Sequence, residues 1–385
     1  MTILSYIIWN VDPEFFTIPI VDRPVRYYGL LFALAFLVTQ QIMYYIYRKE
    51  GKPERDVETL TAYMIIATVI GARLGHVFFY EAGKYLENPI EILKIWEGGL
   101  ASHGAAFGIL FALWIYVNYK IIIGFNKFVV EKQKRPNQSY LQVVDRIVIV
   151  VALAGFMIRT GNFMNSEIYG LPTKSEYGVI FSNDVKRVFE VETSPIAEID
   201  FEKDHTRQPN ELGYVPIQLK IDFKNQPGIV NEKSIQTYFN SRFKEVLDVD
   251  YIAEHIYQPI NQPIDYTLQD HGANRYSAVV NTYGIPRHPT QLYEAGTSLA
   301  IFFLLLALWL KYKNETPPGL LLGLFLILLF GLRFVHELFK ENQVKFEDTM
   351  QYNMGQLLSI PLIIAGIVIL IQAIRNGRYK TEEPQ

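Results

Sequence analysis

Hydrophobic positions along this chain gather into long blocks separated by polar connections. Seven predominantly apolar runs, at about 27 to 47, 60 to 80, 104 to 123, 143 to 161, 291 to 310, 319 to 337 and 354 to 374, come close to the roughly 17 to 25 residues that a helix needs to cross a bilayer core. The stretch from about Pro172 to Pro286 has a different texture. Within it "VPIQLKIDF" alternates as a strand does, and "SIQTYFNSRFKEVL" sets Ile235, Tyr238, Phe239, Phe243 and Val246 at helical spacing, while "NQPG" marks a turn. The pattern predicts an all-α polytopic membrane protein of about seven transmembrane helices with a mixed α/β extracytoplasmic insertion. Spans one to four fall in a membrane domain over 1–171, the insertion covers 172–286, and 287–385 holds spans five to seven and a tail.

Charge orients this scheme. Arg48, Lys49, Lys52 and Arg55, then Lys120, Lys127, Lys132, Lys134 and Arg135, then Lys311 and Lys313, and finally Arg375, Arg378 and Lys380 all fall on one side of the alternating spans. The other side receives Asp12, Glu14 and Asp22, then Glu81, Glu87, Glu91 and Glu97 against only Lys84 and Lys94. Basic loops stay cytoplasmic, so the N-terminus and the insertion are expected outside and the C-terminus inside. The start, "MTILSYIIWNVDPEFF", has neither a basic leader nor a small-residue cleavage site, so the first span is expected to remain. A net charge of −3 without any basic, aromatic-interleaved run sets nucleic acid aside. The chain has no cysteine, which excludes disulfides, thiolate metal sites and a cysteine nucleophile; any thiol in the chemistry belongs to a substrate.

In this topology the polar residues of the spans collect at the outer ends. Tyr27 and Tyr28 open the first span; Arg73, His76 and Tyr80 close the second; Ser102 and His103 open the third. Arg159, Asn162 and Asn165 close the fourth, with Glu167 beyond; Gln291, Tyr293 and Glu294 open the fifth; Arg333, His336 and Glu337 close the sixth. Ionisable groups at such depth commonly face a bundle interior or a wet cavity, which makes one shared layer a candidate site. Each residue also has an ordinary reading. Arg73 would be a snorkelling anchor, Tyr27 and Tyr28 belt residues, Gly104 and Gly108 a GxxxG packing face, and Arg333 with Glu337 an i, i+4 pair. What favours a site is the contrast between plain lysines at the inner ends and arginines with amides, histidines and carboxylates at the outer ends. Arg159 and Asn162 share a helical face, and two arginines from different helices suit phosphate oxygens. Pro289 of "RHPTQLYE" starts a helix whose free N–H groups near Arg287 and His288 add an anion site. The expected anion is a lipid headgroup.

Four segments carry a resemblance. "EGGLASHG" (Glu97 to Gly104), "RTGNFMNSEIYG" (Arg159 to Gly170), "RHPTQLYE" (Arg287 to Glu294) and "RFVHELFKENQ" (Arg333 to Gln343), in this order, closely resemble the prolipoprotein diacylglyceryl transferase family. The second matches the family signature R-x-G-N-F-x-N-x-E-x-x-G at Arg159, Gly161, Asn162, Phe163, Asn165, Glu167 and Gly170. The resemblance implies an enzyme of the bacterial cytoplasmic membrane that moves a diacylglyceryl group from phosphatidylglycerol to the lipobox cysteine of a lipoprotein precursor, releasing glycerol 1-phosphate. It implies no cofactor and no metal. Two departures stand out: Leu329 and Phe330 occupy the turn before Arg333 where many relatives carry a tyrosine, and the connection between Tyr169 and Arg287 is much longer than the family's.

The reaction needs an activated thiol and a stabilised phosphate leaving group. A cysteine thiol titrates near about 8.5, so a base helps, and imidazole titrates in a suitable range. His103 is the expected base, and a role in packing at the helix start is its alternative. Arg159 and Arg333 are expected to hold the phosphate and offset its charge. Asn162, Asn165, Glu167, Gly170, Tyr28, Gly104 and Glu337 are expected to contact or orient the lipid. The insertion, tethered between two motifs, would guide precursors or shield the site, with a lineage-specific ornament as the alternative. Among rival classes, a transporter would show repeated halves and midplane charges, and neither is present. A serine hydrolase would rest on Ser102 and His103, whose side chains diverge on a helix. A phospholipase would need the same phosphate clamp and differs only in its acceptor.

Overall fold

The computed structural model describes residues 6–377 except 20–21, 96–97, 125–126, 176, 227–229, 260–261, 342–346 and 348–349. Glu97, Pro227 and Gly228 of "NQPG", the end of the fourth motif at Asn342 and Gln343, and Arg378 and Lys380 therefore lie outside the described residues. In chain order the elements are β1 (Ile7–Trp9), β2 (Glu14–Ile18), β3 (Arg23–Arg26), α1 (Tyr27–Lys49), α2 (Glu54–Phe79), α3 (Ala82–Glu87), α4 (Ser102–Asn118), β4 (Tyr119–Gly124), β5 (Lys127–Lys132) and α5 (Tyr140–Met164). There follow β6 (Val179–Phe181), α6 (Asn183–Phe189), β7 (Ile196–Lys203), β8 (Val215–Phe223), α7 (Glu232–Tyr238), α8 (Lys244–Leu247), α9 (Asp250–Ala253), β9 (Ile256–Tyr257), β10 (Asp265–Asp270) and β11 (Tyr276–Gly284). The chain ends with α10 (Thr290–Tyr312), α11 (Leu320–His336) and α12 (Met354–Asn376).

Among the described residues six helices are long and apolar enough to cross a membrane: α1, α2, α5, α10, α11 and α12. The chain is thus a polytopic helical membrane protein. The third apolar run departs from expectation, because its helix, α4, stops after 17 residues at Asn118. Residues 119–124 form β4 instead, with Ile121 opposite Val130 and Ile122 opposite Val129 in a hairpin with β5. A β-branched run favours the pleated conformation over continued helix, so the predicted span over 104–123 merges two elements.

The chain divides into two compact units. One comprises Leu31–Ile158, Glu294–Val335 and Gln351–Gln385. Its interior is built from helix faces carrying Ile46, Leu60, Tyr116, Ile149, Leu305 and Trp309, all fully buried. α2 and α4 meet along glycines: a Cβ on Gly104 would stand 2.3 Å from the Gly71 carbonyl oxygen and 2.6 Å from the Gly75 Cα. Small residues allow backbones to approach this closely. Two buried carboxylates organise the polar groups. Glu50 Oε1 accepts from Arg146 Nε (2.9 Å) and Nη2 (2.8 Å) and from Trp309 Nε1 (2.7 Å), while its Oε2 meets Lys52 Nζ at 2.6 Å. Asp145, from α5, accepts from the backbone N–H groups of Gly319 (2.7 Å) and Leu322 (2.8 Å), satisfying donors that the first turn of α11 leaves without helical partners.

The other unit comprises the residues up to Leu30, Arg159–Tyr293 and His336–Met350. Its sheet runs β10-β11-β8-β7, antiparallel throughout, with β9 on β11. "VPIQLKIDF" is β8, and Ile217, Leu219 and Ile221 enter the core. "SIQTYFNSRFKEVL" is helical from α7 through one wide turn at Phe239–Phe243 into α8, and it buries Ile235, Phe239, Phe243 and Leu247 against that sheet. Asn231 and Ser234 start it with a reciprocal capping box. The N-terminal residues belong to this body: β1 pairs in parallel with β6, and the Tyr6 hydroxyl donates to the Pro216 carbonyl at 2.6 Å.

Candidate functional site

The segment Arg159–Gly170 ends α5 and turns sharply. Asn162 sits three residues after Arg159, and the Arg159 Nη1 reaches the Asn162 Oδ1 at a long 3.5 Å. Asn162 Nδ2 donates to Glu167 Oε2 (3.2 Å), and Asn165 Nδ2 donates to Glu167 Oε1 (3.0 Å). The left-handed Ser166, at φ 56°, turns the chain so that Glu167 returns its carboxylate to the last amides of the helix, and Ile168 follows at φ 59°. A left-handed β-branched residue is strained and persists only where surrounding bonds fix it. They do here. Glu167 N–H donates to Asn162 O (2.9 Å), Thr290 Oγ1 to Ile168 O (3.1 Å), Gln291 Nε2 to Glu167 O (2.6 Å) and Gly170 N–H to His288 O (2.9 Å).

Carboxylate and carbonyl oxygens only accept, so Asn165 and Gln291 must present their NH2 groups to Glu167, and this fixes both amide orientations. The opposite ends, Asn165 Oδ1 and Gln291 Oε1, are buried acceptors with no protein partner among the described residues. Two glycines of the signature are explained by close approach. A Cβ on Gly170 would lie 2.4 Å from the Phe339 carbonyl oxygen, and one on Gly161 would lie 3.0 Å from the Cα of Tyr28. Tyr28 thus packs against α5 at Gly161.

"RHPTQLYE" behaves differently from expectation. Arg287 is 1% exposed; its Nε donates to Glu254 O (2.9 Å), and its Nη1 donates to Gly170 O (3.0 Å) and pairs with Glu341 at 2.5 Å. The guanidinium also lies over the Tyr169 ring, 5.0 Å from its centroid. Arg287 therefore braces the signature, and the backbone N–H groups expected to be free there are taken: that of Arg287 donates to Val179 O (2.9 Å) and that of His288 to Leu171 O (3.0 Å). His288 Nδ1 faces the Tyr293 hydroxyl at 3.1 Å, and burial lowers its pKa. Glu337 pairs with Lys340 Nζ at 3.3 Å.

His103, Gly104 and Arg333 belong to the other unit. Arg73, expected as a snorkelling anchor, is buried there: its Nε donates to Ile92 O (2.9 Å), its Nη2 to Glu91 O (2.5 Å) and its Nη1 to Gly98 O (2.7 Å) and Gly99 O (3.3 Å). It clasps a left-handed glycine turn, with Gly98 at φ 89° and Gly99 at φ 68°. Gly104, counted among the lipid contacts, is buried, and its lack of a side chain is accounted for by helix packing. The His103 ring meets the rings of Phe79 (5.2 Å) and Tyr80 (5.8 Å).

Sequence reasoning missed the groups behind the signature. His255 Nε2 lies 3.1 Å from the Tyr169 hydroxyl and 3.6 Å from Asp184 Oδ2. Burial and the nearby Arg287 cation push His255 down to about 3, and burial together with Asp184 pushes Tyr169 up. Asn183 Nδ2 donates to Ser166 Oγ (3.0 Å) and Val11 O (2.7 Å). No local pattern announces these contacts, because 86 positions separate Tyr169 from His255.

A family model described as prolipoprotein diacylglyceryl transferase matches residues 13–372. Among curated relatives, a phosphatidylglycerol–prolipoprotein diacylglyceryl transferase of Tolumonas auensis is 33% identical over 94% of this chain and 96% of its own. Relatives of the same name from Chloroherpeton thalassium and Porphyromonas gingivalis are 32% and 29% identical, each over 98% of this chain and 97% and 98% of their own.

Proposed function

The chain belongs to the prolipoprotein diacylglyceryl transferase family, and we propose from that membership a role for each polar group at the end of α5. The protein is a multi-pass membrane transferase that moves the diacylglyceryl group of phosphatidylglycerol to a prolipoprotein, the first step of lipoprotein maturation. In our reading the acceptor is the thiol of the lipobox cysteine. Its sulfur forms a C–S bond to the glyceryl carbon whose C–O bond to phosphate breaks, glycerol 1-phosphate leaves with the bonding pair, and the thiol proton passes to a base. His103 is the proposed base. Arg159 and Arg333 offset charge on the departing phosphate, since preorganised cations act where charge develops. Tyr28 and Glu337 contact or orient the lipid, and Gly170 lets the signature loop close on the backbone of Phe339. α4 serves as a seventh span, the membrane is the bacterial cytoplasmic membrane, and the N-terminus and the 172–286 insertion lie outside it.

The observation that supports the headgroup role is the Glu167 hub. Two buried amides, Asn162 and Asn165, are held by one carboxylate beside Arg159, and Asn165 and Gln291 each turn away from that hub an acceptor that has no partner among the described residues. Phosphatidylglycerol carries both complementary groups, a phosphate for the guanidinium and glycerol hydroxyls that donate. The test uses protein reconstituted with phosphatidylglycerol and a lipobox peptide, with glycerol phosphate release followed for the cysteine peptide, its serine counterpart and Arg159→Ala. Release that needs both the cysteine and Arg159 is expected, with Arg159→Ala lowering kcat/KM roughly 100- to 1,000-fold. Release that persists with serine would identify a phospholipase instead.

A further inference from the structure

We infer that the 172–286 insertion is a scaffold for the signature segment and that His255 is a positioning residue, acting on Glu167–Gly170 through Tyr169. This deepens the transferase reading and rests on it for its catalytic consequence. Three separate contacts carry it. His255, between α9 and β9, holds the Tyr169 hydroxyl with Nε2 at 3.1 Å and meets its ring edge-on, with centroids 5.0 Å apart. Asn183, at the start of α6, holds the Ser166 hydroxyl at 3.0 Å, directly at the first left-handed residue of the turn. Phe181 of β6 packs on Tyr169 (5.3 Å) and Phe163 (5.9 Å). Arg287 joins the same construction, donating at once to Glu254 O within the insertion and to Gly170 O within the signature.

The need for such a scaffold follows from the strain. Ser166 and Ile168 sit in a conformation that neither residue favours, and the local bonds of the turn leave the residues after Glu167 to be held from elsewhere. His255 is fully buried and supplies one of those holds, with its backbone fixed in turn by the Ile285 N–H at 2.9 Å. An insertion that merely decorated the membrane protein would have no reason to bury a histidine, an asparagine and a phenylalanine against the signature. Such groups set the orientation of reacting ones, and a displacement of the order of 1 Å costs about 100-fold in rate.

The experiment uses the full chain in lipid nanodiscs, with Tyr169→Phe, His255→Leu, the double variant and His255→Gln. Hydrogen exchange is read at the amides of 166–171, with those of α2 as internal reference, alongside KM for phosphatidylglycerol and for the lipobox peptide. Both single variants are expected to speed exchange at 166–171 alone and to lower kcat/KM roughly 10- to 100-fold, through a raised KM for phosphatidylglycerol with an unchanged KM for the peptide. The double variant should be no worse than the worse single one, and glutamine, which can still donate to the tyrosine hydroxyl, should recover most of the loss. Unchanged exchange in Tyr169→Phe, additive losses in the double variant, or glutamine behaving like leucine would each overturn the proposal. Tyr169→Phe keeps the ring and its packing, so a misfolded His255→Leu does not spare it. A wild type that releases no glycerol phosphate would sink the transferase reading, while the exchange pattern would still decide the scaffold.

Discussion

Two carboxylates act as hubs in this molecule, and they are built on opposite terms. Glu50 gathers two cations and an indole N–H, and both of its oxygens are engaged at 2.6–2.9 Å. Burial alone would raise its pKa, yet Arg146 and Lys52 together hold it below the ordinary carboxylate range. Glu167 also anchors several side chains, but its side-chain partners Asn162 and Asn165 are neutral amides, and among the described residues the groups anchored on it leave acceptors over at Asn165 Oδ1 and Gln291 Oε1. A buried acceptor without a donor costs about 1–3 kcal/mol. A hub whose every bond is used serves the fold; a hub surrounded by such deficits is suited to a ligand that brings donors.

The comparison predicts its largest effect at the saturated hub. Glu50→Gln keeps the shape and leaves Arg146 and Lys52 buried without their counter-charge, which should destabilise the protein by about 3–5 kcal/mol. A thermal melt in detergent would report this, and the fraction that stays folded should turn over at the wild-type rate. A normal melt with lost turnover would show that the hub belongs to the chemistry after all.

Acidity separates the two regions next. The folded-state pKa of Glu50 lies below its unfolded value of 4.5, so its contribution is fully present above that value and disappears only as pH falls further. Between pH 7 and pH 5 it adds no slope. His255 is lowered too but acts in a different window: unfolded, it takes up a proton near 6.5, whereas folded it resists protonation down to about 3. Its stabilisation is complete above 6.5 and is lost progressively as pH falls towards 3, about 2 kcal/mol of it between pH 7 and pH 5. Asp184 and Glu254, raised by burial, bind protons early and work in the other direction. Subtracting the His255→Gln profile from wild type removes their part. The difference should have a slope across pH 5–7, with exchange at 166–171 as the local probe; a flat difference would mean that His255 titrates normally.

Legibility in the sequence follows the range of the interaction. The signature was readable because Arg159, Asn162, Asn165 and Glu167 lie within one helical end and bond to each other. The apolar runs gave the helices for the same local reason, and failed at Ile121–Ile123, where an apolar run without periodicity fits helix and strand alike. Arg73 reads as a snorkelling anchor and Arg287 as the neighbour of a helix-start anion site because composition shows charge and hides partners. Apart from the Glu341 carboxylate on Arg287, their acceptors, up to 26 residues from Arg73 and 117 from Arg287, are backbone carbonyls that any sequence supplies. His255 and Asn183 lay in the insertion, read as a separate body, and only tertiary pairing brings them to the signature.

The smallest effect is the sharpest test of what the leftover acceptors are for. Gln291→Met keeps the length of the side chain while deleting both its NH2 donor to the Glu167 carbonyl and its unpaired Oε1. For the fold these changes oppose each other: the Glu167 carbonyl loses its donor while the Oε1 deficit is relieved, two terms of similar size at about 1–3 kcal/mol each. The thermal midpoint should therefore barely move. A lipid hydroxyl that donates to Oε1 loses its partner with no such compensation, so KM for phosphatidylglycerol should rise roughly tenfold, the equivalent of about 1.4 kcal/mol. KM for the peptide should stay where it was. If the melt drops and both KM values hold, Gln291 is as structural as Arg146, and the difference between the two hubs reduces to one of charge alone.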